Sequence, residues 1–421
     1  MGKKIFLFPG QASQYIGMTK DLCNEFSVAR QTMEEANDAL SMDLSNLCFS
    51  GDIQELTKTE NAQPAILAAS VASYRVYMEE IGQPADFAAG HSLGEISALV
   101  CAGAMNYTEA LKLVRQRGRY MQEAVALGDG AMAAVTNMEI ADVEKLCLDL
   151  SSPGNTVVIS NYNSPKQVVI SGHKKAVQQA EEALLKIGAH VTYLKVSAPF
   201  HSPLMKPAAE KLQKDLRSMT FDNMTMTIIS NAFAQPYKGP EEITDLLTRQ
   251  ITYPVQWEAS IRYLKARGVD FAFEMGPGAV LNRLMKNIEP AITVYPFGLP
   301  EEVRQVKGEM AVSANPMTLI SRSLGMAVST QNHNWDEEAY KAGVVTPYKQ
   351  IEAIQQKFEQ SETAPQKEDL EEVLRLLVVI METKQTSPAE QKERIEQILE
   401  ESGLTEIFPH ADDLIQNKVL S

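Results

Sequence analysis

Apolar positions in this chain fall into short continuous runs alternating with longer stretches spaced at three and four residues. Ile5–Phe8 is a run of four closed by Pro9-Gly10, the pattern of a buried strand. Helical spacing follows over Thr19–Leu40 and over Pro64–Met78, the latter opening on a proline that a first helical turn accommodates. A brief apolar run, Phe87-Ala88-Ala89, leads into Gly90-His91-Ser92-Leu93-Gly94-Glu95. Ile96–Val100 then reads as helix, and a further helix covers Thr108–Ala124.

Between about Leu127 and Val196 the elements shorten. Ala131–Thr136, Val157–Ser160, Gln167–Ser171 and His190–Val196 read as strands, with helices at Ile140–Leu150 and Lys174–Ile187. The order β-α-β-β-α-β is that of a ferredoxin-like unit, here an insert in a larger pattern. That pattern resumes with strands at Thr225–Ser230, Val269–Glu274 and Thr293–Phe297. Helices are expected at Pro240–Thr252, Glu258–Arg267 and, after the turn Gly276-Pro277-Gly278, at Ala279–Asn287. Strands alternating with helices imply a parallel sheet covered on both faces. The expected organisation is an α/β catalytic domain, residues 1–126 and 197–300, a ferredoxin-like subdomain, 127–196, and a helical extension, 301–421. In the extension, helices are expected at Trp335–Phe358, Lys367–Lys384 and Pro388–Glu400, with a terminal piece near Ala411–Leu420. Leu370, Val373, Leu374, Leu377, Val378 and Met381 share one face. That face either packs within the protein or docks a partner.

Composition narrows the classes. The 421 residues carry a formal net charge of -15, which argues against general nucleic-acid binding and leaves room for a local basic patch. Cys23, Cys48, Cys101 and Cys147 are widely spaced, with no C-x-x-C and no clustered histidines. Neither a disulfide framework nor a metal site is expected, and reduced thiols point to the cytoplasm. Ile5–Phe8 is too short for the apolar core of a signal peptide, and no window is apolar enough to span a bilayer.

Glycine, any residue, serine, any residue, glycine between a strand and a helix is the nucleophile-elbow pattern. It would expose Ser92 above a sheet with a helix N-terminus behind it, where backbone N–H groups meet a developing oxyanion. The alternative is a plain strand–helix turn with a capping serine. A serine hydroxyl needs a base, and histidine suits the task. Of six histidines, His91 leaves the elbow in another direction, His173 and His190 fall in the insert, and His333 and His410 fall in the extension. His201 remains, in the loop Ala198–Pro203 that returns from the insert. A second oxyanion donor besides Leu93 would come from the loop Gly10–Gln14. Arg115, Arg117 and Arg119 lie on one helix. One or two of them can face the site and pair with a substrate carboxylate.

Seven segments occur in one order: Gly10–Gln14, Gly90–Glu95, Gln116–Gly118, Asn161–Pro165, Phe200–Ser202, Pro254–Trp257 and Gly276–Gly278. Together they resemble the malonyl-CoA:acyl-carrier-protein transacylase family, shared by fatty-acid and polyketide synthesis, over about residues 3–298. The resemblance implies an α/β-hydrolase-like large domain with a ferredoxin-like insert, and a ping-pong reaction without a bound cofactor. Ser92 would take malonyl from malonyl-CoA with His201 as base. The phosphopantetheine thiol of a holo acyl carrier protein, free or within a polyketide synthase module, would then receive it. The same resemblance assigns Arg117 to the malonyl carboxylate, the Gln11 and Leu93 backbone N–H groups to the oxyanion hole, and the Gln256 backbone carbonyl to orienting the imidazole. Phe200 would favour malonyl over methylmalonyl. Because the carrier is expected to be acidic, Lys166, Lys174, Lys175, Arg283 and Lys286 are candidates for a local basic patch. The extension resembles, through Leu324–Val328, Asn334-Trp335 and Tyr340, that of free-standing acyltransferases serving polyketide synthases. The competing readings are an acyl hydrolase that edits carrier proteins and a docking scaffold with a vestigial site.

Overall fold

The computed structural model describes residues 2–408 apart from 127, 197, 314, 362 and 406. His410 and the piece expected at Ala411–Leu420 lie outside the described residues. The chain forms two compact units, Gly2–Arg304 and the residues from Gln305 onward.

The first unit is built on a five-stranded sheet. Its strands are β1 (Lys3–Phe8), β2 (Phe87–Gly90), β7 (Thr227–Ile229), β8 (Val269–Glu274) and β9 (Thr293–Pro296), in the order β7-β2-β1-β8-β9. Every pairing is parallel. Ile5, Phe6, Leu7 and Phe8 are all buried, as a strand covered on both faces requires. A second sheet contains β3 (Gly130–Thr136), β4 (Val157–Ser164), β5 (Gln167–His173) and β6 (His190–Tyr193), antiparallel throughout, in the order β4-β5-β3-β6. The helices Ile140–Leu150 and Lys174–Lys186 supply its apolar cover. The segment between the helices Ile243–Gln250 and Trp257–Lys265 joins β4, where Val255 N donates to Ser160 O (2.8 Å) and Val255 O accepts from Tyr162 N (2.9 Å).

The elbow follows the carboxyl end of β2, beside that of β1, where His91 N donates to Phe8 O (2.9 Å). β2 is Phe-Ala-Ala-Gly, fully buried, and its small residues let the helix Leu93–Cys101 pack close. A Cβ on Gly94 would lie 2.0 Å from the Phe8 carbonyl oxygen, and one on Gly90 would lie 1.8 Å from the Gly94 carbonyl carbon. Only glycine permits that approach, so the helix N-terminus sits directly over the carboxyl ends of β1 and β2, where open parallel sheets place their ligands.

Several boundaries differ from the sequence expectation. The stretch Thr19–Leu40 is two helices, Lys20–Glu25 and Ser27–Leu40, because Phe26 between them is extended. The helix expected from Pro64 starts at Thr59 and carries the proline inside it; its buried, mostly small residues favour the longer element. Helices Pro300–Ser313 and Pro316–Ser329 were not anticipated. The helix expected at Trp335–Phe358 starts at Glu337 and passes through a π segment, Lys341–Val345, before Thr346–Glu359.

In the second unit the apolar face of the helix Lys367–Thr383 is buried, with Val373, Leu374, Leu377 and Met381 packed among Leu319, Ile320, Ile351, Ile395 and Ile398. Lys384 ends that helix with its ammonium turned inward, donating to the carbonyls of Ala327 (2.7 Å) and Thr330 (2.9 Å). Those carbonyls end the helix Pro316–Ser329 and have no intrahelical partner, so the cation satisfies them. No helix among the described residues is long and apolar enough to cross a membrane.

Candidate active site

Ser92 occupies the tip of the elbow at φ 52°, ψ -105°, a conformation L-residues adopt rarely. Asn231, just beyond β7, holds it there. Its side-chain oxygen accepts from Ser92 N (2.6 Å), and its amide nitrogen donates to Gly90 O (2.6 Å). The turn is thus clamped on both sides of the serine.

His201 comes from the loop after β6 and also has positive φ (56°). Ser171 Oγ bonds Phe200 O (2.8 Å) and Ser202 Oγ bonds Pro199 O (2.6 Å), pinning the loop on either side. The result is a His201 Nε2 to Ser92 Oγ distance of 2.8 Å, within reach for proton transfer. Nδ1 lies 2.8 Å from the main-chain carbonyl of Gln250, which fixes the tautomer with Nε2 as acceptor. Burial, reinforced by the Arg117 charge, pushes His201 down to about 3, so the resting imidazole is a neutral base.

The carbonyl at Nδ1 corrects the sequence expectation, which placed Gln256 there. Gln256 O accepts instead from Ser260 N (3.0 Å) and Ser260 Oγ (2.7 Å), because it begins the helix Trp257–Lys265. Gln250 closes the helix Ile243–Gln250, and a last-turn carbonyl has no intrahelical donor. It is free for the imidazole, and the negative end of the helix dipole favours the imidazolium when it forms.

Arg117, on the helix Tyr107–Glu123, is 1% exposed. Its Nη1 donates to Gln63 Oε1 (2.8 Å), and its Nη2 donates to Gln250 Oε1 (2.8 Å) and reaches Ser92 Oγ at 3.3 Å. Nε is buried and finds no acceptor among the described residues. Desolvation lowers Arg117 to about 10, and it remains charged. A buried guanidinium facing neutral amides, with a donor to spare, is prepared for an anion. Arg115 and Arg119 point elsewhere, to Leu40 O and to Glu60.

A nucleophile, a base and an anion-binding cation therefore meet at one elbow. Residues 5–290 match the acyl transferase domain family. The chain belongs to that family. It is 42% identical to a malonyl CoA-acyl carrier protein transacylase of Bacillus subtilis, over 93% of this chain and 99% of the relative. A protein of the same name from Escherichia coli K12 is 44% identical over 70% of this chain and 96% of its own length. Among solved structures, a malonyl-transacylase in complex with its type II polyketide-synthase acyl-carrier protein superposes with TM-score 0.71 at 39% identity. That match covers 73% of this chain and 99% of the other.

Within this acyl transferase domain the remaining expected residues are spread more widely. Leu93 is the first residue of the helix Leu93–Cys101, next to the serine, where N–H groups lack intrahelical acceptors. Gln11 lines an open cleft of about 580 Å³ together with Ile53, Lys58, Thr59, Gln122 and Lys195. Phe200 is buried beside His201. Lys166, Lys174, Lys175, Arg283 and Lys286 are all exposed. They do not form one patch, since Lys166 and Lys174 flank opposite ends of the seven-residue β5, roughly 26 Å apart at strand spacing. No group of three metal-ligating side chains occurs among the described residues.

The sequence reading missed Asn231, Gln63, Gln250 and Glu95. Glu95 is fully buried and accepts from Tyr237 Oη, Gln250 Nε2 (2.7 Å) and Asn231 N (3.1 Å). Burial pushes it up to about 7 against those three donors and Arg117. Only Glu95 carried a signal in advance, an acidic residue one turn into an otherwise apolar helix. A lone glutamine or asparagine far along the chain carries none.

Proposed function

We propose that this chain is a malonyl-CoA:acyl-carrier-protein transacylase with Ser92 as nucleophile and His201 as general base. The observation that carries the reading is the buried, incompletely paired Arg117 guanidinium 3.3 Å from the oxygen of a histidine-activated serine. A hydrolase of neutral acyl chains has no use for that cation, whereas a dicarboxylic acyl group needs one.

In the first half-reaction the substrate carboxylate pairs with Arg117, which sets the thioester carbonyl over Ser92. Ser92 Oγ attacks the carbonyl carbon while His201 Nε2 takes its proton, and the Gln250 carbonyl steadies the imidazolium through Nδ1. The oxyanion is met by the backbone N–H groups of Leu93 and Gln11. Collapse breaks the C–S bond, and coenzyme A leaves with the proton from Nε2. In the second half-reaction a phosphopantetheine thiol gives its proton to His201, attacks the malonyl-serine ester and regenerates the Ser92 hydroxyl. Phe200, packed beside His201, favours malonyl over methylmalonyl, by about 1–3 kcal/mol for one methyl group in a pocket. No bound cofactor is used. We further read the first unit as an α/β-hydrolase-like domain, residues 1–126 and 197–300, with the four-stranded sheet, 127–196, as a ferredoxin-like insert, followed by a helical extension, 301–421. The order β4-β5-β3-β6 supports the insert. Four buried free thiols support a cytoplasmic location.

Incubation with malonyl-CoA and then holo acyl carrier protein, read by intact mass, tests the proposal. A malonyl increment is expected first on the enzyme and then on the carrier, and on neither with Ser92→Ala. Release of malonic acid without acceptor dependence would favour the editing hydrolase. No increment on the wild-type chain would overturn the reading.

A further inference from the structure

Two buried charges lie at this site, and among the described residues neither makes an ion pair. Arg117 is 1% exposed, Glu95 is 0% exposed, and one side-chain amide stands between them. Gln250 Nε2 donates to Glu95 Oε2 (2.7 Å) and to Ser92 O (2.9 Å), and Gln250 Oε1 accepts from Arg117 Nη2 (2.8 Å). We propose that Glu95 is a positioning residue which, through the Gln250 amide, holds Arg117 charged and open to a substrate carboxylate. The inference rests on the transacylase reading and adds a determinant of acyl selectivity to it.

The hydrogen-bond directions carry it. Three donors face the Glu95 carboxylate, and above its midpoint of about 7 it only accepts, as a guanidinium only donates. Between an acceptor and a donor, the Gln250 amide has one satisfactory sense, with nitrogen towards Glu95 and oxygen towards Arg117. Flipped, it would set its NH₂ against Nη2 and its oxygen against the Glu95 carboxylate. The other two donors to Glu95, Asn231 N and Tyr237 Oη, fix the carboxylate from the segment after β7. Since Asn231 also clamps Ser92, the same carboxylate ties the nucleophile turn and the anion receptor into one frame.

The placing of the charge matters as much. A carboxylate in direct contact would occupy the guanidinium and exclude a substrate anion. With no counter-charge, burying the guanidinium would be far more costly. Glu95 compensates it from one amide away, and its field opposes the desolvation of Arg117. Nε and part of Nη2 remain for the incoming carboxylate.

Glu95→Gln tests this. Glu95 Oε2 accepts from both Gln250 Nε2 and Asn231 N, so a glutamine keeps its oxygen there, and what the change removes is the compensating charge. Two readouts are compared with wild type: kcat/KM for malonyl loading, and the rate at which phenylmethylsulfonyl fluoride, a neutral reagent, labels Ser92. We expect malonyl loading to fall about 10- to 100-fold, the range of one hydrogen bond to a charged group. Labelling should change by less than about threefold, since the Ser92–His201 pair is intact. In an Arg117→Ala background, Glu95→Gln should cause no further loss of malonyl loading. Tyr237→Phe removes a donor to the Glu95 carboxylate without touching Ser92, His201, Arg117 or Gln250, and is expected to show the same split in lesser degree, which serves if Glu95→Gln does not fold. Equal loss of loading and labelling, or no loss of either, would overturn the role of Glu95 while leaving the transacylase reading intact. Absence of malonyl loading by the wild-type chain would overturn both.

Discussion

A main-chain carbonyl at Nδ1, where many serine enzymes place a carboxylate, changes how His201 responds to acid. A carboxylate would raise the imidazole, whereas here the Gln250 carbonyl is outweighed by burial and by the Arg117 charge, and His201 falls from 6.5 to about 3. A group lowered in this way stays unprotonated as the pH drops past its usual midpoint. The base form therefore persists through the range where an ordinary histidine is lost. Labelling of Ser92 by a neutral sulfonyl fluoride should hold its rate from pH 8 down to about pH 5, with no midpoint near 6.5. Arg117→Ala removes the second-largest cause of the lowering, so its acidic limb should move up towards 6.5, while its kcat/KM for malonyl-CoA drops about 100-fold for want of a charge-assisted pair. A wild-type midpoint at 6.5 would show that the imidazole is solvated in the free enzyme. A malonyl rate unaffected by the Arg117 change would remove the arginine from acyl recognition.

The nucleophile, the base and the carbonyl that orients the base sit at or beyond the ends of elements, and those ends are set by packing. Ser92 stands where β2 meets a helix, His201 in the return from β6, and the Gln250 carbonyl at a helix C-terminus. Gly94→Ala puts a methyl group 2.0 Å from the Phe8 carbonyl oxygen, which is backbone of β1 and cannot turn aside. The helix must back away from the sheet, costing at least about 3 kcal/mol as severe overpacking does. The thermal midpoint should fall by roughly 6 °C or more, and Ser92 labelling should slow with it. An unchanged midpoint would mean the elbow is looser than its contacts indicate. This is also why the elbow was legible in the sequence. A tight turn between a strand and a helix demands glycines at fixed offsets, and His201 follows from a short roll of histidines. Gln250 was not legible, because a main-chain carbonyl carries no residue signature. What selects it is the point where a helix stops, and sequence places the end of Pro240–Thr252 two residues late. Asn231 and Gln63 are likewise chosen by where β7 ends and by which turn of the helix Thr59–Glu80 faces Arg117, matters of tertiary packing.

At the scale of the molecule, each unit has its own apolar interior. Trp257, Ile261, Leu264 and Leu281 pack around β1 and β8 in the first, and Leu319, Ile351, Leu374, Leu377 and Ile398 pack together in the second. Ser92, His201, Arg117, Gln250, Glu95 and Asn231 all belong to Gly2–Arg304, and every bond that orients them is made within it. The Escherichia coli relative matches 296 residues of this chain and 96% of its own length, a span close to that of this first unit. A chain ending at Arg304 is therefore expected to fold and to load malonate with a kcat/KM within about threefold of the full chain, because the described bonds that orient the site are all made within it. Residues 315–408 alone should keep their helical circular dichroism and a cooperative melt, since they hold an apolar cluster of their own side chains. Steady-state loading of the carrier by the two lengths decides the matter. If malonyl-serine formation is equal but transfer to the carrier collapses in the shorter chain, the second unit acts in the acceptor half-reaction. If both half-reactions fail while the truncated chain remains folded, the site depends on residues beyond Arg304 and its apparent self-sufficiency is wrong.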